Sequence, residues 1–264
     1  QVEAVIHLAG KKSVTESVAN PIDYYDNNVG GTISLLKAIQ NTKLKNLVFS
    51  SSATVYGEPQ YLPLDEGHPM NPTNPYGRSK LQIEKILYDF TKTNPSFNVA
   101  CLRYFNPVGA HESGLIGENP KGKPNNLMPY ITQVAVGKHP NLNIFGNDYN
   151  THDGTGIRDY IHVMDIAEGH LAGLKFINKK RGWHAINLGS GKGFTVLELL
   201  KTFETATNKV IPYTFNKRRL GDVESCFAEV SKAKQDLQWN AKRSLSEMCS
   251  SAWKFEMLKL ESSH

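Results

Sequence analysis

Three short apolar segments, separated by two helical segments, constrain the fold of this chain more than any other feature. They are residues 2–9, 47–51 and 98–104, and each is rich in β-branched or large apolar side chains, as buried strands are. Helical patterns over residues 21–40, and from about residue 75 to a stop before Pro95, separate them. Strands that alternate with helices form parallel sheets with right-handed crossovers. We therefore predict an α/β fold built on a doubly wound parallel sheet.

The sequence changes in character after residue 106. Residues 107–126 are rich in Gly, Pro, Asn and His, a composition typical of ligand-binding loops. Further helices are predicted near residues 127–137, 164–177, 195–207, 230–237 and 245–259, and strands at 142–145, 157–163 and 184–188. We predict a first domain over residues 1–106 and a smaller α/β domain over residues 107–264, with residues 157–188 returning to pack on the first.

Tyr76, Lys80 and Ser52 form a candidate acid–base group. Tyr76 and Lys80 are four residues apart in a predicted helix, so their side chains share one face. A phenol, with a pKa of about 10, is a poor base at neutral pH, but an adjacent ammonium favours the phenolate. Ser52 follows a predicted strand and could hold a substrate oxygen. The pattern predicts proton abstraction from an alcohol, although Y-x-x-x-K also occurs on many exposed helices.

Composition excludes several other classes of protein. The net charge is +5, and the short basic clusters at residues 179–181 and 217–219 are too little for a nucleic-acid partner. A few well-placed arginines suit a small anionic ligand such as a diphosphate, whereas the cluster at residues 179–181 is interpreted as a solvated surface patch. No apolar run approaches the roughly 20 residues that span a membrane. The cysteines at positions 101, 226 and 249 are odd in number and far apart. They indicate neither a disulfide framework nor a metal site, and they favour a reducing cytoplasm.

A glycine-rich phosphate-binding turn is missing from the start of the sequence. Nucleotide-binding sheets of this class normally open with a strand, a G-x-G-x-x-G turn and a helix. The glycine cluster here, residues 189–193, comes late and lacks the spacing of a P-loop. We interpret it as a turn between a strand and a helix. The expected sheet is therefore an incomplete Rossmann sheet.

Four longer segments resemble the extended short-chain dehydrogenase/reductase family: residues 50–57, 74–80, 103–111 and 158–163. Residues 125–130, 145–149 and 153–156 extend the resemblance to the UDP-hexose 4-epimerases of that family. The resemblance covers essentially the whole chain. The resemblance implies an NAD-dependent isomerase that binds NAD tightly. It interconverts UDP-galactose and UDP-glucose through a 4-keto intermediate.

The same resemblance implies a role for each matching residue. Tyr76 would take the proton from the sugar 4-hydroxyl, Lys80 would lower the pKa of Tyr76 and contact the nicotinamide ribose, and Ser52 would hold the 4-oxygen. These three would also line the cofactor site, together with Ala9, Gly10, Lys11, Lys12, Asn27 and Phe105. The implied substrate-binding residues, besides Ser52 and Tyr76, are Asn106, Asn126, Leu127, Asn143, Ile144, Phe145, Arg158, Arg219, Asp222 and Cys226.

Some of these residues also have a structural interpretation. Asn27 could be a helix-surface residue, Phe105 a core residue, and Arg158 could be paired with the adjacent Asp159. Cys226 is smaller than the tyrosine that some epimerases carry there. It would leave room for an N-acetyl group and so for UDP-GalNAc and UDP-GlcNAc, unless it is only a packed cysteine.

Two other functions stay open from the sequence. Related dehydratases carry an acidic pair directly after the strand-end hydroxyl, whereas residues 53–55 contain no carboxylate, which favours epimerisation. The missing glycine-rich turn leaves open a fragment that binds UDP-sugar without catalysis. The resemblance further implies a homodimer formed through helices of the cofactor domain.

Overall fold

The structure is a computed structural model that describes residues 2–120, 122, 124–219 and 221–262. Its strands are β1 (Ala4–His7), β2 (Asn46–Ser52), β3 (Asn98–Tyr104), β4 (Asn106–Val108), β5 (Leu142–Phe145), β6 (Ile157–Arg158), β7 (Tyr160–His162), β8 (Trp183–Leu188), β9 (Phe194–Thr195), β10 (Tyr213–Asn216) and β11 (Ser225–Cys226). Its α-helices are α1 (Val14–Ala19), α2 (Pro21–Tyr24), α3 (Gly31–Gln40), α4 (Pro75–Thr93), α5 (Leu127–Ala135), α6 (Val163–Ile177), α7 (Val196–Thr207), α8 (Ser231–Asp236) and α9 (Leu245–Glu261). A π-helical turn (Tyr25–Gly30) joins α2 to α3, and a 3₁₀ turn (Ala53–Val55) follows β2. The predicted α/β class is confirmed.

The chain divides into two compact units. Unit 1 contains the described residues of 1–104, 168–188 and 229–240, and unit 2 contains those of 105–167, 189–228 and 241–264. The prediction that residues 1–106 serve a cofactor and residues 107–264 mainly a sugar nucleotide stays a prediction at this point. Within the described part of the chain, no helix has the length and apolar character that crossing a membrane requires.

Unit 1 is built on a parallel sheet with strand order β1-β2-β3-β8. On one face, Leu47 and Phe49 of β2 belong to a core that includes Ile83 and Leu87 of α4. On the other face, Gly173 of α6 lies so close to β3 that an added Cβ would be 3.2 Å from Leu102. Helices therefore cover both faces, as a parallel sheet requires. The carboxyl ends of β1, β2 and β3 meet at one edge of this sheet.

Helix α4 begins and ends where the sequence predicts. The Asn74 side chain accepts a hydrogen bond from the Gly77 backbone N–H, and Pro75 occupies the first turn, where its missing N–H costs nothing. The buried face of the helix includes Tyr76, Lys80 and Glu84, each separated from the next by four residues. Three polar side chains thus lie in one buried stripe, on the face that packs against β2 and β3.

The segment before β2 differs from the prediction. The first strand is shorter than predicted (Ala4–His7), and the short helix α1, capped by Ser13, was missed. The predicted continuous helix over residues 21–40 contains the π-helical turn Tyr25–Gly30. A π turn holds one more residue than an α turn and so changes which side chains face inward. The sequence pattern, scored at an α-helical period, gives no warning of that change.

Unit 2 consists of three small sheets around a separate core. Strands β5 and β10 pair in parallel, β6 lies between β11 and β9, and β4 pairs with β7. Residues of α5, α7 and α9 form its core, among them Ile131, Phe203 and Met248. Strand β10 was not predicted: it is four residues long, and all four are exposed.

Asp159 divides the predicted strand over residues 157–163 into β6 and β7. Its buried carboxylate accepts hydrogen bonds from the backbone N–H groups of Ser190, Gly191 and Ala228. The glycine cluster at residues 189–193 is therefore a turn closed by a carboxylate, in agreement with its interpretation from the sequence. At Gly189 an added Cβ would lie 2.5 Å from Asp159 Oδ2, which explains the glycine there.

A buried ion pair joins α4 to β3 within unit 1. Arg103 donates to both carboxylate oxygens of Glu84, with Nη2 2.6 Å from Oε2 and Nε 3.0 Å from Oε1. The two side chains are only 1% and 2% exposed. Burial alone would lower the pKa of Arg103, but hydrogen bonds to Glu84 and its charge raise it above the usual value. Arg103 also donates to the Tyr56 hydroxyl, at 3.2 Å.

We expect Arg103→Met to lower the free energy of unfolding by about 3–5 kcal/mol, because it leaves the Glu84 carboxylate buried without its partner. Urea denaturation followed by circular dichroism measures this loss. Arg181→Met, the same substitution at an exposed position of unit 1, is the control and should leave the unfolding free energy nearly unchanged. Equal stability of the two variants would contradict a stabilising role for the pair.

Candidate functional site

The structure brings Tyr76, Lys80 and Ser52 together at the carboxyl edge of the sheet in unit 1. Tyr76 and Lys80 lie on the buried face of α4, and Ser52 is the last residue of β2. The Lys80 ammonium donates to the backbone carbonyl of Ser50 at 2.9 Å, and its Nζ lies 5.8 Å from the centroid of the Tyr76 ring. All three side chains are buried, with exposed fractions of 4–7%. An exposed helix pair, the alternative interpretation of Y-x-x-x-K, is thereby excluded.

Burial controls the ionisation of this group more than the sequence suggested. It raises the pKa of Tyr76 well above 10, with further contributions from Tyr104 and Tyr24, while the nearby Ser52 hydroxyl lowers it. Burial also lowers the pKa of Lys80 to about 8, and the charge of Glu84 opposes this. The expected lowering of the Tyr76 pKa by Lys80 stays a prediction. In this structure desolvation is the largest influence on that pKa, and it disfavours the phenolate.

The predicted cofactor residues of unit 1 follow β1. Ala9 and Gly10 are exposed at the carboxyl end of that strand, and Lys12 is exposed beside them. Lys11 pairs through its ammonium with Asp23, and its backbone N–H donates to Asn28 Oδ1 at 2.7 Å. These residues form an open, polar edge of the kind at which open α/β sheets bind ligands.

Asn27, which was predicted to line the cofactor site, is exposed. The neighbouring Asn28 is buried instead. The Asn28 amide donates to the Lys11 carbonyl at 3.0 Å and to the Ser79 hydroxyl at 3.1 Å. A Cβ at Gly10 would lie 3.1 Å from Asn28 Oδ1, so the amide also explains this glycine. Helical spacing could have found Asn28, because the buried Tyr24 and Thr32 lie four residues to either side of it.

Unit 2 holds the predicted nucleotide-binding residues in two clusters. In the first, Phe145 at the end of β5 lies under Arg219, whose guanidinium carbon is 3.9 Å from the ring centroid. The Asp222 backbone N–H donates to the Arg219 carbonyl. Ile144 is buried in the core, and Asn143 donates to the Tyr130 hydroxyl and accepts from Asn216.

The second cluster contains Arg158 and Cys226, which are paired residues of neighbouring strands β6 and β11. Arg158 donates to the backbone carbonyls of Ile157 and Glu224, at 2.8 and 3.4 Å. The carboxylate of Asp159 instead accepts hydrogen bonds from backbone N–H groups, so it is not the partner of Arg158. Arginine forks match the geometry of phosphate oxygens. Burial raises the pKa of the Cys226 thiol to about 11, so it stays neutral.

The remaining predicted residues lie near the start of unit 2. Phe105 is buried and Asn106 is exposed in β4. Asn126 precedes α5, and its amide donates to Glu118 Oε1 at 2.7 Å, while Leu127 is the first residue of that helix. Sequence reasoning also missed Tyr149, whose ring stacks against Arg218, with its hydroxyl buried and unpaired within the described part of the chain.

Comparison with known proteins gives one consistent family. The chain matches the GDP-mannose 4,6 dehydratase family over residues 1–252. It is 54% identical to the UDP-glucose 4-epimerase of Bacillus subtilis (strain 168), over 97% of this chain and 76% of that protein. Against the UDP-glucose 4-epimerase of Homo sapiens the identity is 54%, over 96% of this chain and 73% of that protein.

Solved structures agree with these relatives. A UDP-glucose 4-epimerase from Stenotrophomonas maltophila, with bound NAD and formylated UDP-arabinopyranose, matches with a TM-score of 0.97 at 47% identity, over 99% of this chain and 78% of that one. A UDP-glucose 4-epimerase from Bifidobacterium longum, in complex with NAD+ and UDP, gives a TM-score of 0.94 at 50% identity, over 98% and 77%. The chain therefore belongs to the UDP-glucose 4-epimerases of the extended short-chain dehydrogenase/reductase family.

Proposed function

We propose that this chain interconverts UDP-galactose and UDP-glucose as an NAD-dependent 4-epimerase. The observation that carries the proposal is the buried group of Tyr76, Lys80 and Ser52 at the carboxyl edge of the parallel sheet. Relatives that are 54% identical over nearly the whole chain are UDP-glucose 4-epimerases, and neighbouring structures contain NAD and UDP or a UDP-sugar. Both findings support the same reaction.

Tyr76 is the proposed acid and base. Its hydroxyl takes the proton of the sugar 4-hydroxyl when the 4-keto sugar forms and returns it when the inverted alcohol is made. When bound, NAD supplies the hydride acceptor and donor for sugar C4. The ionised phenol is stabilised by the Lys80 ammonium and by the positive charge of the oxidised cofactor, which together oppose the desolvation found here. Ser52 holds the 4-oxygen beside the phenol.

The residues after β1 fit a dinucleotide. The backbone at Ala9 and Gly10 is exposed at a sheet edge, and an added Cβ at Gly10 would press on the buried Asn28 amide. We propose that this edge carries the cofactor, with Lys11 and Lys12 beside it and Asn28 fixing the backbone that the cofactor contacts. The assignments of Asn27 and Phe105 to the cofactor stay proposals.

The two arginines of unit 2 are the proposed diphosphate ligands. Arg158 and Arg219 supply two cationic forks, and Phe145, in van der Waals contact with Arg219, offers a flat apolar surface for a base. Asn106, Asn126, Leu127, Asn143, Ile144 and Asp222 stay proposed contacts of the sugar and uridine.

The other functions considered from the sequence are not favoured. Residues 53–55 form a 3₁₀ turn directly after Ser52 and contain no carboxylate, so the acidic pair of a dehydratase is missing there. The identity to curated epimerases likewise does not favour a UDP-sugar-binding protein without catalysis.

We expect Tyr76→Phe to lower kcat for conversion of UDP-galactose to UDP-glucose by about 10²–10⁴-fold, because only the acid–base hydroxyl is removed. The affinity for UDP, measured by calorimetry, should stay within about twofold of wild type, since the UDP contacts are proposed to lie in unit 2. Tyr61→Phe removes an exposed phenol hydroxyl of the same unit and is the control. Turnover of the Tyr76 variant within about tenfold of wild type would rule out the assigned role.

We further propose that UDP-GalNAc and UDP-GlcNAc are substrates, because Cys226 is small and directly neighbours Arg158 in the paired strands. Cys226→Tyr should remove turnover of UDP-GalNAc while leaving turnover of UDP-galactose within a few-fold of wild type, since a phenol ring fills the space of an N-acetyl group. Coupled assays with each substrate measure both rates, and Cys226→Ser is the small-residue control. Wild-type protein that converts UDP-galactose but not UDP-GalNAc would contradict this proposal.

A homodimer is the proposed assembly. Large apolar side chains stay exposed on the helices of unit 1, including Val18 (61%), Ile22 (77%), Ile33 (37%) and Tyr88 (43%). Exposed apolar side chains that form a patch mark protein–protein contacts. Analytical ultracentrifugation should give a dimer for wild type and a monomer for Ile33→Glu. Leu115→Glu, at an exposed loop position of unit 2, is the control and should remain dimeric. A wild-type monomer would contradict the proposal.

A cytoplasmic location is the remaining proposal. The thiols of Cys101, Cys226 and Cys249 are all free, and two of them are buried. Free thiols persist in a reducing compartment, which supports the cytoplasm.

A further inference from the structure

Glu84 connects the structural core of unit 1 to its acid–base group. It lies one helical turn after Lys80 on α4, so both side chains emerge on the same buried face. The Ser51 hydroxyl donates to Glu84 Oε1 at 2.5 Å, and Ser51 is the residue before Ser52. The opposite side of the carboxylate is held by Arg103 of β3. Glu84 therefore extends from α4, the helix that carries Tyr76 and Lys80. Its carboxylate contacts residues of both neighbouring strands, β2 and β3.

The groups that face Lys80 come from several neighbouring elements. On β2 it contacts two neutral groups, the Ser50 carbonyl at 2.9 Å and the Phe49 ring centroid at 4.9 Å. From β1 it faces His7, whose pKa is lowered by burial and then by Lys80 itself, so the imidazole is neutral near pH 7. Arg103 of β3 is committed to Glu84. On α4 the titratable neighbours are Tyr76 and Glu84, and Glu84 supplies the negative charge.

We propose that Glu84 is a positioning residue of the epimerase reaction: held by Arg103, it fixes the strand end that carries Ser52 against α4 and places its negative charge one turn below the Lys80 ammonium. This inference rests on the proposed function. It assigns to the buried pair a role beyond stability, because the reaction needs Lys80 charged and Ser52 in line with Tyr76.

The two parts of this role have different kinetic signatures. Loss of the negative charge makes Lys80 release its proton at lower pH, because burial then acts on the ammonium with less opposition. The alkaline limb of kcat/KM reports the loss of the charged form of Lys80 as pH rises. That limb then moves to lower pH. Loss of the Ser51 contact alone leaves the charge in place. It should lower kcat at every pH without moving that limb.

The test compares pH profiles of kcat/KM for wild type, Glu84→Gln and Ser51→Ala in the NAD-loaded enzyme. We expect the alkaline limb of Glu84→Gln to move to lower pH by about one unit. Above about pH 9 its kcat/KM should then be about tenfold lower than that of wild type. Ser51→Ala should keep the wild-type limb. A Glu84→Gln profile that drops equally at all pH values, with its limb unmoved, would show a structural role only and overturn the proposal.

A second variant covers the case in which Glu84→Gln does not fold. Glu84→Gln combined with Arg103→Met leaves no unpaired buried charge, so it removes the carboxylate at a smaller cost in stability. Its limb should also move to lower pH, and an unmoved limb would again overturn the proposal. Wild-type protein without epimerase activity would instead refute the proposed function, so the two failures are distinguishable.

Discussion

The buried ion pair between Glu84 and Arg103 is the interaction on which the arrangement of unit 1 depends most. It ties α4 to β3, and through Ser51 it also reaches β2. A pair buried this deeply is costly to desolvate and is tolerated only when hydrogen bonds satisfy both groups. Arg103 meets that condition with bonds to both carboxylate oxygens and to Tyr56. The helix carrying Tyr76 and Lys80 is thereby held at a fixed register against the strand that ends in Ser52.

Burial has a second consequence at the reacting residues. Burial removes water from both side chains. This desolvation disfavours the charged form of each, the Tyr76 phenolate and the Lys80 ammonium. A phenol buried in this way is a weak base near neutral pH. The cationic nicotinamide ring of oxidised NAD would favour its ionised form.

Much of unit 1 could be predicted from the sequence, and the reasons are local. Apolar runs at residues 47–51 and 98–104 specify buried strands, while Asn74, Pro75 and Pro95 specify the ends of α4. Asn28 was missed in favour of Asn27, although the buried Tyr24 and Thr32 lie four residues to either side of it. The high pKa of Tyr76 was missed because burial depends on the packed structure, which residue spacing does not describe. Strand β10 was missed although Tyr213 and Phe215 alternate with Thr214 and Asn216, because its four residues are too short a pattern and are all exposed.

Tyr76, Lys80 and Ser52 are proposed to serve a reversible oxidation at sugar C4, in which the hydrogen leaves and returns as hydride. The most direct measurement follows UDP-galactose deuterated at C4 through conversion to UDP-glucose, with NMR of the product. We expect deuterium to stay at C4 in the UDP-glucose, because a hydride held on the cofactor does not exchange with water. Replacement of the label by solvent hydrogen would show that C4 loses a proton instead and would refute hydride transfer.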